Sequence, residues 1–239
     1  MAPVVVQQIK LARLELPDFH PEAPGIDTVY GFVIRERDAC ILVDTGVGKG
    51  SDLIERFYKP QHIELETALA EAGVSFREIT AIVNTHLHFD HCGNNRLFPG
   101  VPIFVQAAEL EAAQQPRYTV PGWVNFAGAN YVAVRGAHSL SENVELFATP
   151  GHTAGHQSIR IRSEQRTDLI VGQAAYKASE FQLFCQRRNG EDDLAFQQCV
   201  KSNATWSADA YVASLAALER VRPDRAFFSH DQVVWTRAD

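Results

Sequence analysis

A short apolar strand that runs into a dense polar motif constrains this chain more than any other feature. Residues 79–83 read ITAIV, and the residues that follow read NTHLHFDHCGNN. So many polar groups cannot form a regular helix or strand, and imidazoles are poor turn formers, so a plain solvated turn explains the motif badly. Imidazole and carboxylate groups are ligands that suit zinc, iron, manganese or cobalt. The candidate ligands are His86, His88, Asp90 and His91.

The rest of the chain alternates apolar strands with helices, which is typical of an α/β protein. Several strands run into loops that carry a histidine or another polar residue, and functional groups often lie on loops at strand ends. Gly73 is expected to end one helix and Ser207 to cap another. We predict strands at 29–34, 40–43, 79–83, 103–105, 145–149, 159–162, 169–172 and 226–229, and helices at 63–72, 106–114 and 208–221.

A second histidine cluster follows the strand at 145–149, in the sequence TPGHTAGH at 149–156. Glycine lets the backbone pass close to an ion, and proline fixes the entry of the loop. His152 is therefore a candidate ligand, whereas we expect His156 to support a ligand or to pack in the core. His230 follows the last apolar strand and is weak evidence by itself.

Taken together, these motifs resemble the metallo-β-lactamase superfamily. The H-x-H-x-D-H motif, the later G-H-T-x-G-H and a last histidine at a strand end match its order, and the resemblance includes VDTG at 43–46. It implies an α/β fold arranged as a four-layer αββα sandwich, with residues 1–239 forming one hydrolase domain. It also implies one metal on His86, His88 and His152, a second on Asp90, His91 and His230, and Gln173 where the family has a bridging carboxylate.

Within the superfamily, the chain looks most like the N-acyl homoserine lactonase branch. The similar stretches are THLHFDH at 85–91, GHQS at 155–158 and AAY at 174–176. In that branch a tyrosine three residues after the bridging aspartate touches the lactone carbonyl, which implies this role for Tyr176. A core aromatic with a satisfied hydroxyl is the alternative. The resemblance predicts opening of a lactone ring by metal-bound hydroxide, with Asp90 and Tyr176 as catalytic residues.

The amide at position 173 departs from the family pattern. A glutamine carries no charge and has one oxygen that can coordinate, so it offsets the repulsion between two divalent ions less than a carboxylate does. Zinc is the predicted cofactor, at one or two ions per chain, with iron, manganese or cobalt as alternatives. Three outcomes stay open: one metal, two metals with Gln173 bound end-on, or a scaffold with little activity.

Other functions are weighed against these residues. The formal net charge is −7 and the Lys and Arg residues are scattered, which disfavours nucleic acid as a partner. A flavodiiron-like protein would carry a glutamate at the position of His88. A thioester hydrolase of the glyoxalase II type stays the main alternative, because its metal motif is almost the same. A non-enzymatic binding module is motivated by Gln173 alone.

The remaining predictions concern surroundings and location. The start of the chain lacks the pattern of a signal peptide, and no apolar run is long enough to span a bilayer. Four widely spaced cysteines favour free thiols, so we predict a cytoplasmic protein without a membrane partner. The expected partner is a small-molecule substrate. The aromatic-rich segment 115–135 is expected either to line an apolar pocket or to form a surface loop or homodimer contact.

Overall fold

The computed structural model describes residues 4–20, 23–186 and 194–237. Contacts divide the chain into two compact units, Met1–Val134 and Arg135–Asp239. Each unit contains one mixed sheet.

The first unit is built on a seven-stranded sheet. Its strands β1 to β3 form an antiparallel meander, and β3, β5, β6 and β7 run parallel to one another. Parallel neighbours end at the same edge of a sheet, so the loops after β3 and β5 meet there. The strands are β1 (Val5–Glu15), β2 (Ile26–Glu36), β3 (Ala39–Val43), β4 (Gln61–His62), β5 (Ala81–Val83), β6 (Pro102–Gln106) and β7 (Asn130–Val134).

Helices of the first unit pack on the apolar side chains of this sheet. Leu42, Ile82 and Ile103 come from the central strands and Leu69 comes from a helix, and all four are fully buried. Burying a side chain of this kind contributes roughly 1.5–3 kcal/mol before the entropy of ordering it is subtracted. The helices are α1 (Asp52–Tyr58), α2 (Leu65–Glu71), α3 (Phe89–Cys92), α4 (Ala107–Ala112) and α5 (Pro121–Val124), with 3₁₀ turns at Phe76–Glu78 and Asn95–Leu97.

The second unit is built on a six-stranded sheet in which only β11 and β12 are parallel neighbours among the described strands. Its core contains Phe181, Phe196, Tyr211 and Phe228, from three helices and one strand. The strands are β8 (His138–Ser139), β9 (Val144–Ala148), β10 (Gln157–Arg162), β11 (Thr167–Gly172), β12 (Arg225–Phe228) and β13 (Asp231–Thr236), and the helices are α6 (Ala178–Gln186), α7 (Leu194–Asn203) and α8 (Ala208–Arg220).

Every strand and helix predicted from sequence overlaps an observed element. Gly73 adopts a φ of +71°, and Ser207 caps α8 by accepting a hydrogen bond from the Ala210 N–H, as expected. The elements that were not predicted are the strands β1, β4, β7, β8 and β13 and the helices α1, α3, α5, α6 and α7. The expectation that the polar motif forms no regular helix was wrong, because the short helix α3 lies within it. The polar residues of β1 hid its alternation, because its Lys10 and Arg13 point outward beside a bulge.

Candidate metal centre

The loops after β3 and β5 meet through one buried carboxylate. Asp44 follows β3 with a φ of +58° and is fully buried. Its Oδ1 accepts the backbone N–H of Thr85 at 2.8 Å, and its Oδ2 accepts the Thr85 hydroxyl at 2.7 Å. The same Oδ2 lies 2.8 Å from Nδ1 of His91. Asp44 therefore fixes both ends of the histidine motif.

This contact decides which nitrogen of His91 can serve as a ligand. A carboxylate accepts at Nδ1, so the proton sits there and Nε2 carries the lone pair that a metal needs. Nε2 lies 3.4 Å from Oδ2 of Asp90. Burial acts to lower the pKa of His91, but Asp90 and Asp44 outweigh it and raise that pKa to about 10. A metal ion that binds at Nε2 must therefore displace a proton from the His91 ring.

The two histidines at the start of the motif point their nitrogens together. Nε2 of His86 lies 3.1 Å from Nδ1 of His88. Two nitrogens bound to one tetrahedral zinc at about 2.0–2.1 Å are roughly 3.3–3.4 Å apart, so this spacing fits a shared ion. Nδ1 of His86 lies 3.1 Å from the hydroxyl oxygen of Thr85, which already donates its proton to Asp44. This contact at Nδ1 orients the ring of His86 and leaves Nε2 to face His88.

A second buried carboxylate holds the backbone between these histidines. Glu109 in α4 is fully buried, and its Oε1 accepts the N–H of Leu87 at 2.8 Å. The same oxygen accepts the hydroxyl of Tyr118, whose ring centroid lies 4.8 Å from that of His88. In the segment 115–135, Tyr118 lies against the candidate ligand His88, whereas Trp123 is buried in the core.

Glycines allow the two loops to touch. A Cβ atom on Gly93 would lie 1.9 Å from the backbone nitrogen of Gly48, a distance that no side chain tolerates. The close approach lets the carbonyl of His91 accept the N–H of Thr45 at 2.7 Å and the amide of Asn84 at 3.1 Å. The backbone that carries His91 is therefore held at several points.

In the second unit, a glycine and a helix end position His152. Gly151 has a φ of +143°, and a Cβ there would lie 2.4 Å from Cα of Tyr211. The loop therefore lies directly on α8. Nδ1 of His152 donates to the carbonyl of Asn203 at 3.0 Å, at the C-terminal residue of α7. That end of a helix carries partial negative charge and favours a donor, which leaves Nε2 of His152 as the ligand atom.

His156 uses both of its ring nitrogens within the protein. Nδ1 lies 2.9 Å from the hydroxyl of Thr149, and Nε2 accepts the backbone N–H of Gln173 at 3.0 Å. These contacts agree with the expectation that His156 supports a ligand or packs in the core. Its contact fixes the backbone at position 173 directly after β11.

Gln173 presents a buried oxygen that fits a cation. Its side chain is 6% exposed, and its Oε1 has no hydrogen-bond partner among the described residues. A buried polar atom of this kind is rare in a folded protein unless a ligand satisfies it. An amide oxygen can coordinate a metal through one lone pair.

The parallel strand β12 leads to His230, whose ring stacks on Tyr176. The two ring centroids are 4.5 Å apart and the planes differ by 5°. Both side chains are buried, and the backbone N–H of Tyr176 donates to Oε2 of Glu180 at 2.9 Å. Tyr176 therefore has a fixed position beside a candidate ligand.

Six of the predicted ligands offer an imidazole nitrogen or a carboxylate oxygen, and each is buried or half-buried. Nitrogen and carboxylate donors of this kind fit zinc, iron, manganese or cobalt. The first unit carries His86, His88, Asp90 and His91, and the second carries His152 and His230.

Sequence reasoning missed three residues that position these ligands: Asp44, Glu109 and Asn203. Asp44 carried a signal, since an acidic residue directly after a buried strand lies where parallel strand ends meet. Glu109 and Asn203 sit in ordinary helical sequence. Only the fold brings Asn203 to His152, 51 residues away along the chain.

Comparison with known proteins identifies the family. The model of the Metallo-beta-lactamase superfamily matches residues 24–230. The chain therefore belongs to this superfamily of hydrolases. An N-acyl homoserine lactonase of Bacillus sp is 30% identical over 219 residues, covering 85% of this chain and 81% of the relative. A Bacillus cereus N-acyl homoserine lactonase is 28% identical with the same coverage.

Solved structures agree with this assignment. An N-acyl homoserine lactone hydrolase with N-hexanoyl-L-homoserine at its catalytic metal centre is 25% identical, with a TM-score of 0.77 over 97% of this chain and 95% of that chain. AidC, a dizinc quorum-quenching lactonase, is 18% identical with a TM-score of 0.70 over 99% of this chain and 94% of that chain, which shows the shared fold.

These findings confirm the predicted superfamily, the likeness to the lactonase branch and the α/β fold class with two sheets and helices. The chain is a hydrolase of a metal-dependent superfamily, and its relatives act on small-molecule lactones. Among the residues that the structure describes, no helix has both the length and the apolar character needed to cross a membrane.

Proposed function

We propose that this chain hydrolyses the ester bond of a lactone ring, with N-acyl homoserine lactones as the substrate class. The observation that carries the proposal is the stacking of Tyr176 on His230, one of the predicted metal ligands. The named activity of the Bacillus relatives supports the choice of substrate. If the substrate is of this class, the biological effect is quorum quenching.

Each residue of the centre is assigned a role. A divalent metal, here proposed to be zinc, supplies Lewis acidity toward the carbonyl and makes water acidic enough to react near pH 7. The first ion is assigned to His86, His88 and His152, and the second to Asp90, His91, His230 and the oxygen of Gln173. The Tyr176 hydroxyl donates to the oxygen that becomes negative during attack. Asp90 orients the attacking water and passes its proton to the leaving alkoxide.

We assign two metal sites of unequal strength. All six predicted histidine and aspartate ligands are buried or half-buried, which supports two ions. The Oε1 of Gln173 has no hydrogen-bond partner among the described residues, which supports end-on coordination. The amide contributes no charge, so it offsets the repulsion between the ions less than a carboxylate would. We therefore expect the second site, with Asp90, His91 and His230, to bind metal more weakly than the first.

Aromatic side chains near the motif support an acyl substrate. The rings of Tyr58 and Phe89 are 4.6 Å apart, and burial together with Asp90 raises the pKa of Tyr58. The ring centroid of Tyr118 lies 4.8 Å from that of His88. Apolar walls next to polar donors are typical of sites that bind amphipathic small molecules.

The remaining proposals concern the protein as a whole. We propose that residues 1–239 act as one hydrolase domain in the cytoplasm on a small molecule. The four cysteines, which are free thiols, support this location. A possible homodimer is tested by sedimentation, which gives the mass of the protein in solution.

The test is hydrolysis by protein loaded with zinc or, separately, with manganese. Proton release is followed with N-acyl homoserine lactones of several chain lengths, with a simple γ-lactone and with a glutathione thioester. We expect the acylated lactones to give the highest kcat/KM, and His86→Ala and His152→Ala to reduce the rate to background. A preference for the thioester would replace the lactonase proposal with the glyoxalase II type. Hydrolysis of no substrate by fully loaded protein would leave a binding scaffold.

A further inference from the structure

One carboxylate in the second unit touches both the turn that carries Tyr176 and the residue that holds His152. Glu180 is the third residue of α6, and its Oε2 accepts the backbone N–H of Tyr176 at 2.9 Å. The same oxygen accepts Nδ2 of Asn203 at 2.9 Å. Hydrogen bonds to an ionised carboxylate are about twice as strong as bonds between neutral groups.

Asn203 extends this link to the candidate metal ligand. Its backbone carbonyl accepts the Nδ1–H of His152 at 3.0 Å, while its side chain binds Glu180. A hydrogen bond with Tyr211 holds the side chain of Asn203 as well, and that tyrosine packs against the loop glycine next to His152. Asn203 is 5% exposed, so water competes little for these contacts.

We propose that Glu180 is a positioning residue that sets the orientation of His152, through Asn203, together with the position of Tyr176. This inference rests on the proposed function for the role of Tyr176, but its effect on His152 concerns metal binding alone. Partners of metal-binding histidines orient the ring, and losing one lowers metal affinity roughly 10–100-fold. Glu180 acts one bond further out, and its backbone contact to Tyr176 gives it a second, separate effect on turnover.

A simpler role would be that of a helix cap. A glutamate in the first turn that accepts an N–H just before the helix stabilises that helix by itself. The contact with Asn203 separates the two roles, because a cap alone has no reason to influence the His152 ring. The capping box of Ser75 and Glu78 in the first unit offers a matched control, since Glu78 accepts the N–H of Ser75 at 2.8 Å on an exposed turn.

The experiment compares Glu180→Ala, Glu180→Gln and the control Glu78→Ala as full-length chains. Zinc affinity is measured by competition with a chromogenic chelator, thermal unfolding is measured on metal-free protein, and kcat and KM are measured on the lactone. We expect Glu180→Ala to weaken the tighter zinc site about tenfold and to lower kcat more than it raises KM. Glu180→Gln keeps an acceptor oxygen and should restore zinc affinity to within about threefold of the original chain.

Asn203→Ala provides a second variant if Glu180→Ala fails to fold. It removes the link through Nδ2 but leaves the backbone carbonyl and the contact between Glu180 and Tyr176. We expect zinc affinity to fall, because the side chain of Asn203 no longer ties the end of α7 to Glu180. Unchanged zinc affinity in both Glu180→Ala and Asn203→Ala, or a loss no larger than that in Glu78→Ala, overturns the proposal. Because the zinc measurement needs no substrate, it still decides the inference if lactone hydrolysis is absent.

Discussion

Asp44→Asn is the substitution with the most specific expected effect on the centre. The carboxylate receives three hydrogen bonds, one at Oδ1 from the Thr85 N–H and two at Oδ2 from the Thr85 hydroxyl and the His91 ring. An asparagine has a single acceptor oxygen. The backbone N–H of Thr85 cannot reverse its role, so the oxygen should stay on that side and the amide NH₂ should face His91.

This reversal changes the tautomer of His91. Facing a donor, Nδ1 must accept, and the ring proton moves to Nε2, the atom that lies 3.4 Å from Asp90. A protonated Nε2 cannot ligate, so the second metal site should lose affinity by about 10–100-fold, or about 1.4–2.8 kcal/mol. The buried contacts that are lost should also destabilise the fold by roughly 1–3 kcal/mol.

The assay is a zinc titration against a chromogenic chelator, combined with urea unfolding of the metal-free chain. Asp27→Asn is the matched control, since Asp27 is also buried and accepts the N–H of its neighbour Thr28. We expect the control to leave both zinc affinities unchanged. Equal affinity of the second site in Asp44→Asn and the original chain would show that Asp44 does not set the tautomer of His91.

Three further predictions address other parts of the centre. Gln173→Asp should raise the affinity of the second site at least about tenfold, and an unchanged metal content per chain after dialysis would show that position 173 does not limit binding. Gly93→Ala should destabilise the fold by about 1–3 kcal/mol or more, since its Cβ would meet the nitrogen of Gly48 at 1.9 Å; an unshifted urea midpoint would contradict this steric argument. Prolonged chelation should abolish hydrolysis and zinc should restore it, and activity that survives complete metal removal, checked by elemental analysis, would exclude a metal-dependent reaction.

The candidate ligands could be named from sequence because they are local in two respects. Each follows an apolar strand, and four of them lie within the six residues from His86 to His91. Strand order also brings neighbouring parallel strand ends together, as it does for β11 and β12. Apolar runs followed by dense polar motifs were therefore enough to predict most of the candidate ligands.

The groups that orient the ligands were not predictable in the same way. Asp44 reaches His91 over 47 residues, and Asn203 reaches His152 over 51 residues. Such contacts depend on packing of whole elements, and α7, which carries Asn203, was not predicted at all. Its weak amphipathic pattern and the polar residues along it gave no periodic signal strong enough to mark a helix.

The residues that orient the candidate ligands help to decide whether Gln173 marks a site that has lost metal binding. The backbone N–H of residue 173 donates to His156, and this contact does not involve the side chain. Exchange of a carboxylate for an amide therefore alters charge while leaving that contact intact. Asp44 still orients His91, and Asn203 still orients His152. A scaffold that no longer binds metal would have no requirement for buried carboxylates aimed at histidine nitrogens, because such groups are costly to bury. Their presence supports the proposals that the centre binds metal and that Gln173 adjusts the strength of one site.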